Sequence, residues 1–499
     1  MEGRSRVPSM KATRSRWHVF ARRLKQWSDP EMVFLRLFGQ EEHAFWLDSS
    51  LVAEGLSRFS YMGASVNPGN HDVRYDVATR RIEVSGAPSR YDGVFARLSH
   101  ELAAQTCDAV DLPFDFRGGY VGYFGYELKA ECGVSNTHRA KTPDALFFFI
   151  DRFLAFDHLT QEIYLVRLTP TDMLSDADIW LDTTQRQLDA LPPFPSVMNE
   201  TGAPLVFRLQ QSHSDYLMKI NQCKGHLRSG ASYEICLTNQ LIGSTHVDPL
   251  AVYRNLRRLN PAPYAAYLRS GSLAILCSSP ERFLRIDHHR QVESKPIKGT
   301  VGRGSTGEGD ATARDALRAS EKDRAEHLMI VDLLRNDLGR VCEVGSVTVP
   351  VLMGIETYQT VHQMVSTIRG ALRPDITAMD CIQAAFPGGS MTGAPKLRTM
   401  RLLDQLEVGA RGVYSGALGF LSLSGAVDLN IVIRTIVMIG DSVSIGIGGA
   451  IVMQSDPEAE FDEMLLKGQA PMRALGLTGT GRDDESAWRV ANGRLRKPV

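Results

Sequence analysis

Three short runs, Gly416-Ala-Leu-Gly-Phe-Leu-Ser-Leu423, Leu429-Asn-Ile-Val-Ile-Arg-Thr-Ile-Val-Met438 and Val443-Ser-Ile-Gly-Ile447, are apolar, rich in branched side chains and separated by Gly, Ser and Asp. Each has the length and punctuation of a strand. Ser455-Asp-Pro-Glu-Ala-Glu-Phe-Asp-Glu-Met-Leu-Leu-Lys467 follows them. Asp456 before Pro457 is an N-cap with a first-turn proline, so a helix begins there. Upstream, helical patterns at Ser214–Leu227, Thr312–Leu338, Ala378–Ala385 and Lys396–Leu406 alternate with strand-like Ala265–Arg269 and Leu273–Cys277. This half of the chain reads as α/β.

Residues 42–165 are different: short apolar and aromatic runs (Ala44–Leu47, Val121–Tyr126, Ala145–Ile150) punctuated by Gly, Asn and Asp predict a β-rich region. A Pro- and Gly-punctuated linker, Leu191 to Pro204, divides the two. The expected organisation is an N-terminal β-rich region at 1–195, a catalytic α/β region at 205–475, and a charged, Gly-rich, mobile tail at 476–499. No repeat of 20–50 residues is present.

Composition narrows the function classes. A net charge of −1 over 499 residues gives no global field for nucleic acid or anionic membrane. The first 25 residues are basic (Arg4, Arg6, Lys11, Arg14, Arg16, Arg22, Arg23, Lys25 against Glu2) but lack an apolar core and cleavage site, which predicts a solvated, frayed terminus. No uncharged apolar run reaches the roughly 18–20 residues of a membrane span. The best, Leu429–Gly440, is interrupted by Arg434. Seven scattered cysteines with no C-x-x-C predict neither a disulfide framework nor a zinc site. The expectation is a soluble, cytoplasmic protein.

Two phosphate-loop lookalikes fail on mechanism. Gly302-Arg-Gly-Ser-Thr-Gly307 is followed by Glu308 and Asp310, whose charge would repel a pyrophosphate, and reads as a loop. Gly388-Gly-Ser-Met-Thr-Gly393 continues into Ala394-Pro395 where a P-loop needs Lys-Ser/Thr.

Three constellations could carry chemistry. Glu460 and Glu463 stand at i and i+3 on one helix face, and Asp323 and Glu326 repeat that spacing on another. Alone, the first pair also reads as a solvated acidic first turn with Glu463 paired to Lys467, while Glu326, followed by Ile330 and Leu333, points toward packed structure. Together they suit a hard cation such as Mg²⁺, which takes one or two carboxylates and completes its octahedron with water and substrate. Anion donors form the second set: the Gly388–Lys396 turn entering a helix, the close-approach glycines Gly446, Gly448 and Gly449, and Arg434. An Arg inside an apolar strand needs an anion, from the protein or from a ligand. The third is Lys298 in Pro296-Ile-Lys-Gly-Thr300. It is either a solvated cation or, in a dry pocket near another cation, a nucleophile; spacing does not choose.

Ser278-Ser-Pro-Glu-Arg-Phe283, Pro296–Thr300, Ala325-Glu-His-Leu-Met-Ile-Val-Asp-Leu333, Gly393-Ala-Pro-Lys396, Tyr414-Ser-Gly416 and Ser455-Asp-Pro457 together resemble the chorismate-utilising family across roughly 210–470. Phe45–Ser50, Ser57–Tyr61 and Gly118–Tyr123 resemble its N-terminal region. The resemblance implies an α/β sandwich of mainly antiparallel sheets with outer helices. Within the family the anthranilate synthase branch has Ala where Lys298 stands, and the branch named aminodeoxychorismate synthase component I has Lys. The implied reaction converts chorismate and ammonia to 4-amino-4-deoxychorismate, a step used in p-aminobenzoate, folate and antibiotic biosynthesis.

The resemblance further implies that Lys298 adds covalently to the ring, with Glu281 as general base or proton shuttle and His362 as acid for the leaving hydroxyl. Mg²⁺ would be held through Glu326 and Glu463 with Asp323 and Glu460 nearby. Thr300, Gly393, Ala394, Lys396, Tyr414, Arg434, Gly448, Gly449 and Lys467 would line the substrate. Ser49, Pro261 and Tyr264 resemble a tryptophan site. Three departures stand out. Asp323 replaces a Glu of the anthranilate synthases. His362 sits one residue before the family's histidine place, which Gln363 occupies. The segment Gly230-Ala-Ser-Tyr-Glu-Ile-Cys-Leu-Thr238 departs from the common Tyr-Gln-x-Asn-Leu pattern, so no role is assigned there. No cysteine lies in a G-x-C-x-G turn, so ammonia is expected from a separate glutamine amidotransferase subunit. The alternatives are anthranilate or isochorismate synthesis on the same fold, or a non-catalytic subunit binding chorismate or tryptophan.

Overall fold

Alternation of apolar side chains decides which face of each strand is buried, and here it separates two cores. In the computed structural model, residues 15–53, 55–65, 72–84, 87–89, 93–171, 173–191, 206–358, 361–478 and 488–490 are described. Along the strand His43–Asp48, Phe45 and Leu47 point into one cluster while Ala44 and Trp46 join another. Leu273–Ser279 repeats this: Leu273, Ile275 and Cys277 face the first, Ala274 and Leu276 the second. Side chains of period two therefore line a sheet buried on both faces.

Among the described residues the strands form two large sheets, of 15 and 12 strands, paired antiparallel apart from Ser15–Leu24 with Gln105–Cys107. The first cluster fills the space between them, the geometry of a sandwich. The second lies under helices such as His213–Arg228, Pro249–Leu259 and Pro457–Ala474 on the outer face of the larger sheet. The α/β sandwich with outer helices is the fold observed.

The boundary at 191–204 separates segments of chain but not layers. His43–Asp48 pairs with Tyr264–Ser270 in the larger sheet, and Gly119–Phe124 with Ala417–Ser422 in the smaller, so each sheet runs through both regions. Residues 192–205 and most of the tail expected at 476–499 lie outside the described residues. Among the described residues no helix is long and apolar enough to cross a membrane.

Three local expectations are corrected. The frayed N-terminus does not extend through residue 25, because Ser15–Leu24 is a strand paired with Glu162–Pro170, anchored by Trp17 and Val19 on one face and Phe20 and Leu24 on the other; residues 1–14 lie outside the described residues. The helix expected over Thr312–Leu338 is two, Gly307–Ala319 and Glu321–Gly339. Ser320 is extended between them and its side chain accepts from the Asp323 N–H, capping the second. The strand expected at Leu429–Met438 breaks into Val427–Ile431 and Thr435–Ile439, with Arg434 at φ 51° in the corner.

Candidate active site

Lys298 lies on the strand Ile297–Gly302 at the edge of the smaller sheet, opposite Met364 of Val361–Ala371. The register slips between Lys298 and Thr300, and Gly299 takes φ 76° there. This bulge sets two residues against one and re-aims the side chains around it. The lysine is consequently nearly buried, with 12% of its side chain exposed. Its Nζ donates to Glu234 Oε1 at 2.6 Å and stands 3.9 Å from Glu326 Oε2. Burial works against the ammonium, but the Glu234 and Glu326 carboxylates outweigh it and hold Lys298 above the usual lysine range. The charges that dominate beside it are carboxylates, which favour the ammonium over the neutral amine. The resting form is the ammonium.

Glu281 occupies the turn between Leu273–Ser279 and Arg282–Ile286, and Ser390 Oγ donates to its Oε1 at 2.9 Å. Burial pushes its carboxyl up to about 7, with Ser390, Lys298 and Arg434 pulling the other way. A carboxyl so placed is partly protonated near neutral pH and can pass a proton either way. Arg434 is half-buried, and burial lowers its pKa against an opposing pull from the Glu281 carboxylate.

The candidate metal ligands meet between the helices Glu321–Gly339 and Pro457–Ala474. Glu460 accepts from Ser455 Oγ at 2.7 Å and from Lys322 Nζ at 2.9 Å, and Lys322 is also 3.9 Å from Glu326. Burial, and then the neighbouring Glu234 and Glu460 charges, raise Glu326 to about 7 against the pull of Lys298 and Lys322. Glu326 Oε1 and Glu460 Oε2 are buried without a hydrogen-bond partner. Among the described residues no three His, Cys, Asp or Glu side chains form a ready-made cage. Two unpartnered carboxylate oxygens nonetheless fit Mg²⁺, which needs only one or two protein carboxylates beside water and an anionic substrate. Glu463 is paired with Lys467 at 2.7 Å, farther toward solvent. Asp323 lies over the bulge: a Cβ on Gly299 would come within 3.1 Å of its carboxyl carbon.

The remaining candidates divide. Gly449 faces the candidate metal-ligand pair, its absent side chain leaving room for Glu460 Oε2 and Lys467 Nζ at 3.4 and 3.8 Å from where a Cβ would stand. Tyr414 lies flat on Gly446, where a Cβ would come within 2.1 Å of its ring. Gly448 sits against the Leu237 carbonyl. Gly393 and Ala394 bridge to Ile235 and Glu234, beside the lysine's partner. Thr300 accepts from Gln363 Nε2 at 3.3 Å. Lys396 instead donates to Asp337 and the Ala385 carbonyl, tying two helices together. His362 is held by Thr357 Oγ1 (2.8 Å) and Asp310 Oδ1 (3.0 Å), so both ring nitrogens are engaged away from Lys298. Ser49 and the Pro261–Tyr264 segment converge at the end of the His43–Asp48 ladder, where Leu51 N donates to the Ala262 carbonyl. Tyr264 donates to Asp428 and accepts from Arg282, the neighbour of Glu281.

Glu234 was missed by sequence reasoning. Its signal was legible: a single carboxylate opening the strand Glu234-Ile-Cys-Leu, where apolar neighbours demand a buried counter-ion, the argument already applied to Arg434.

The sequence model for chorismate binding enzyme matches residues 72–473, most of the chain. The chain belongs to the chorismate-binding enzyme family. This chorismate-binding enzyme is 48% identical, over 91% of its length, to aminodeoxychorismate synthase of Streptomyces pristinaespiralis, and 46% identical over 94% to that of Streptomyces griseus. It spans 65% and 66% of those relatives' own lengths. Its fold matches anthranilate synthase component I from Streptococcus pneumoniae TIGR4 with a TM-score of 0.74 and 28% identity, covering 95% of this chain and all of that one.

Proposed function

We propose that this chorismate-binding enzyme makes 4-amino-4-deoxychorismate from chorismate and ammonia, an amino-transfer reaction that runs through a covalent bond to Lys298. The observation that carries the reading is the Lys298 amine held between Glu234 and Glu326, within electrostatic reach of the Glu281 carboxyl. The names of its Streptomyces relatives agree with it.

Attack needs the neutral amine, and Glu326, whose Oε2 lies 3.9 Å from Nζ, is placed to take the ammonium's proton. The Nζ lone pair adds at C2 of the ring, electrons pass through the ring diene, and the C4–O bond breaks. Glu281, partly protonated near neutral pH, gives its proton to the departing hydroxyl, which leaves as water. Ammonia then adds at C4 and passes a proton to the Glu281 carboxylate, the electrons return, and the C2–N bond breaks as the lysine nitrogen takes its proton back from Glu326. Arg434 and Tyr414, with the backbone of Gly448 and Gly449, hold the enolpyruvyl carboxylate. Glu326 and Glu460, with Glu463 and Asp323 near, would hold Mg²⁺, which when bound would supply positive charge to neutralise the ring carboxylate and polarise the ring. Lys396 and His362, bound elsewhere, serve the scaffold.

We place the enzyme in the cytoplasm with a glutamine amidotransferase partner as ammonia source, and tryptophan at Ser49, Pro261 and Tyr264. Incubation with chorismate, Mg²⁺ and ammonium salt, with products identified by mass spectrometry, tests the reaction. 4-Amino-4-deoxychorismate is expected; anthranilate or isochorismate as main product overturns it.

A further inference from the structure

Glu234 is fully buried, yet its carboxylate has a single partner: Oε1 accepts from Lys298 at 2.6 Å and Oε2 has none. A buried charge with half its hydrogen-bonding capacity unused destabilises the fold by itself. Its backbone, by contrast, is over-determined. The strand Glu234–Ser244 pairs with Ser442–Ile451 on one side and with Gly393–Ala394 on the other. Gly393, at φ 135°, approaches so closely that a Cβ would stand 2.0 Å from the Glu234 carbonyl oxygen. Ser232 Oγ meets the Glu234 carbonyl, the Ala394 carbonyl and Thr399 Oγ1 at 2.9, 2.9 and 2.7 Å. A rigid backbone thus carries one short carboxylate arm whose end is the lysine amine.

Lys298 has four rotatable side-chain bonds and sits on a bulged edge strand, so its backbone alone does not fix the amine. Of its two carboxylate neighbours, Glu326 is also the candidate metal ligand, which leaves Glu234 as the one dedicated to the lysine. We propose that Glu234 is the positioning residue of the active site, holding the Lys298 amine at the point from which it attacks the substrate ring. The proposal rests on the reading of Lys298 as nucleophile.

The test compares wild type with Glu234→Gln, which keeps an acceptor at the same reach, and Glu234→Leu, which keeps the bulk and removes it. Rapid-quench intact mass follows the covalent adduct with chorismate and Mg²⁺ before ammonia is added, and steady-state kinetics separate kcat from KM. A misplacement near 1 Å costs about 100-fold in rate. Glu234→Leu is therefore expected to slow adduct formation and kcat by about that factor, with KM for chorismate within about threefold, and Glu234→Gln to recover to within about tenfold of wild type. Should the Leu variant not fold, Glu234→Asp, which draws the acceptor back by one methylene, takes its place with the same slowing expected. Adduct formation at the wild-type rate in the Leu or Asp variant overturns the proposal. No adduct in the wild type overturns instead the nucleophile reading, and the proposal with it.

Discussion

His327 is fully buried on the helix Glu321–Gly339, and a titration of stability against pH should expose it. Its Nε2 lies 2.6 Å from Ser366 Oγ, and its Nδ1 is buried without a partner. Burial, and then the nearby Lys298 ammonium, lower its pKa from 6.5 to about 4. A base whose folded pKa lies below the unfolded one binds fewer protons when folded. Its contribution is intact above pH 6.5, lost as pH falls toward 4, and lost no further below that. At about 1.4 kcal/mol per decade, the loss is roughly 2 kcal/mol by pH 5 and roughly 3 kcal/mol by pH 4. Glu127, Glu281 and Glu326, raised to about 7, and Asp144, raised to about 6, titrate in the opposite sense over part of this window, so the absolute stability curve mixes them. The comparison that isolates the histidine is His327→Gln, whose amide can still meet Ser366 but takes up no proton. Urea unfolding of both proteins in EDTA, at intervals from pH 7.5 to 4, should give curves that diverge below pH 6.5, wild type losing about 3 kcal/mol relative to the variant. Parallel curves would refute the reasoning, as would a wild type that gains on the variant in acid.

Arg411 is buried under the site, bidentate to Glu407 and bonded to the Cys236 and Met391 carbonyls. Arg411→Met strands the Glu407 charge and should cost about 3–5 kcal/mol in denaturant unfolding. Gly446→Ala puts a methyl carbon into the Tyr414 ring, so unfolding should show a loss of about 1–3 kcal/mol, and displacement of Tyr414 should raise KM for chorismate. Glu281 is protonated below about 7, so a donor role predicts a kcat that falls as pH rises past that point. Glu281→Gln should lose this alkaline limb and run about 10²–10⁴-fold slower at neutral pH.

The sequence located what depends on local chemistry. Ala378–Ala385 and Lys396–Leu406 form as expected because periodicity and turn residues bound them, and Asp456 caps its helix through the Ala459 N–H. Contacts distant in sequence were beyond reach. Nothing in His43–Asp48 names Tyr264–Ser270 as its neighbour, so the sheets' passage through both halves of the chain was not legible. Ser320 and Arg434 broke longer periodic runs because a side-chain cap and a left-handed corner override periodicity. In the site, the lysine, Glu281, Glu326 and the glycine-lined face were legible from motifs. Lys396, expected to line the substrate, and His362, expected as the acid, are held by Asp337 and by Asp310, partners that only the folded chain brings near. Glu234 was overlooked for the converse reason: its surrounding segment departed from the family's pattern.

The most direct test of the covalent role of Lys298 is peptide mapping of the enzyme quenched after exposure to chorismate and Mg²⁺ without ammonia, wild type beside Lys298→Ala. The wild type is expected to carry a mass increment of chorismate less water on the peptide containing Lys298, absent from the variant, which should also form no 4-amino-4-deoxychorismate. An unmodified Lys298 peptide, or an alanine variant that makes the product at the wild-type rate, would contradict it.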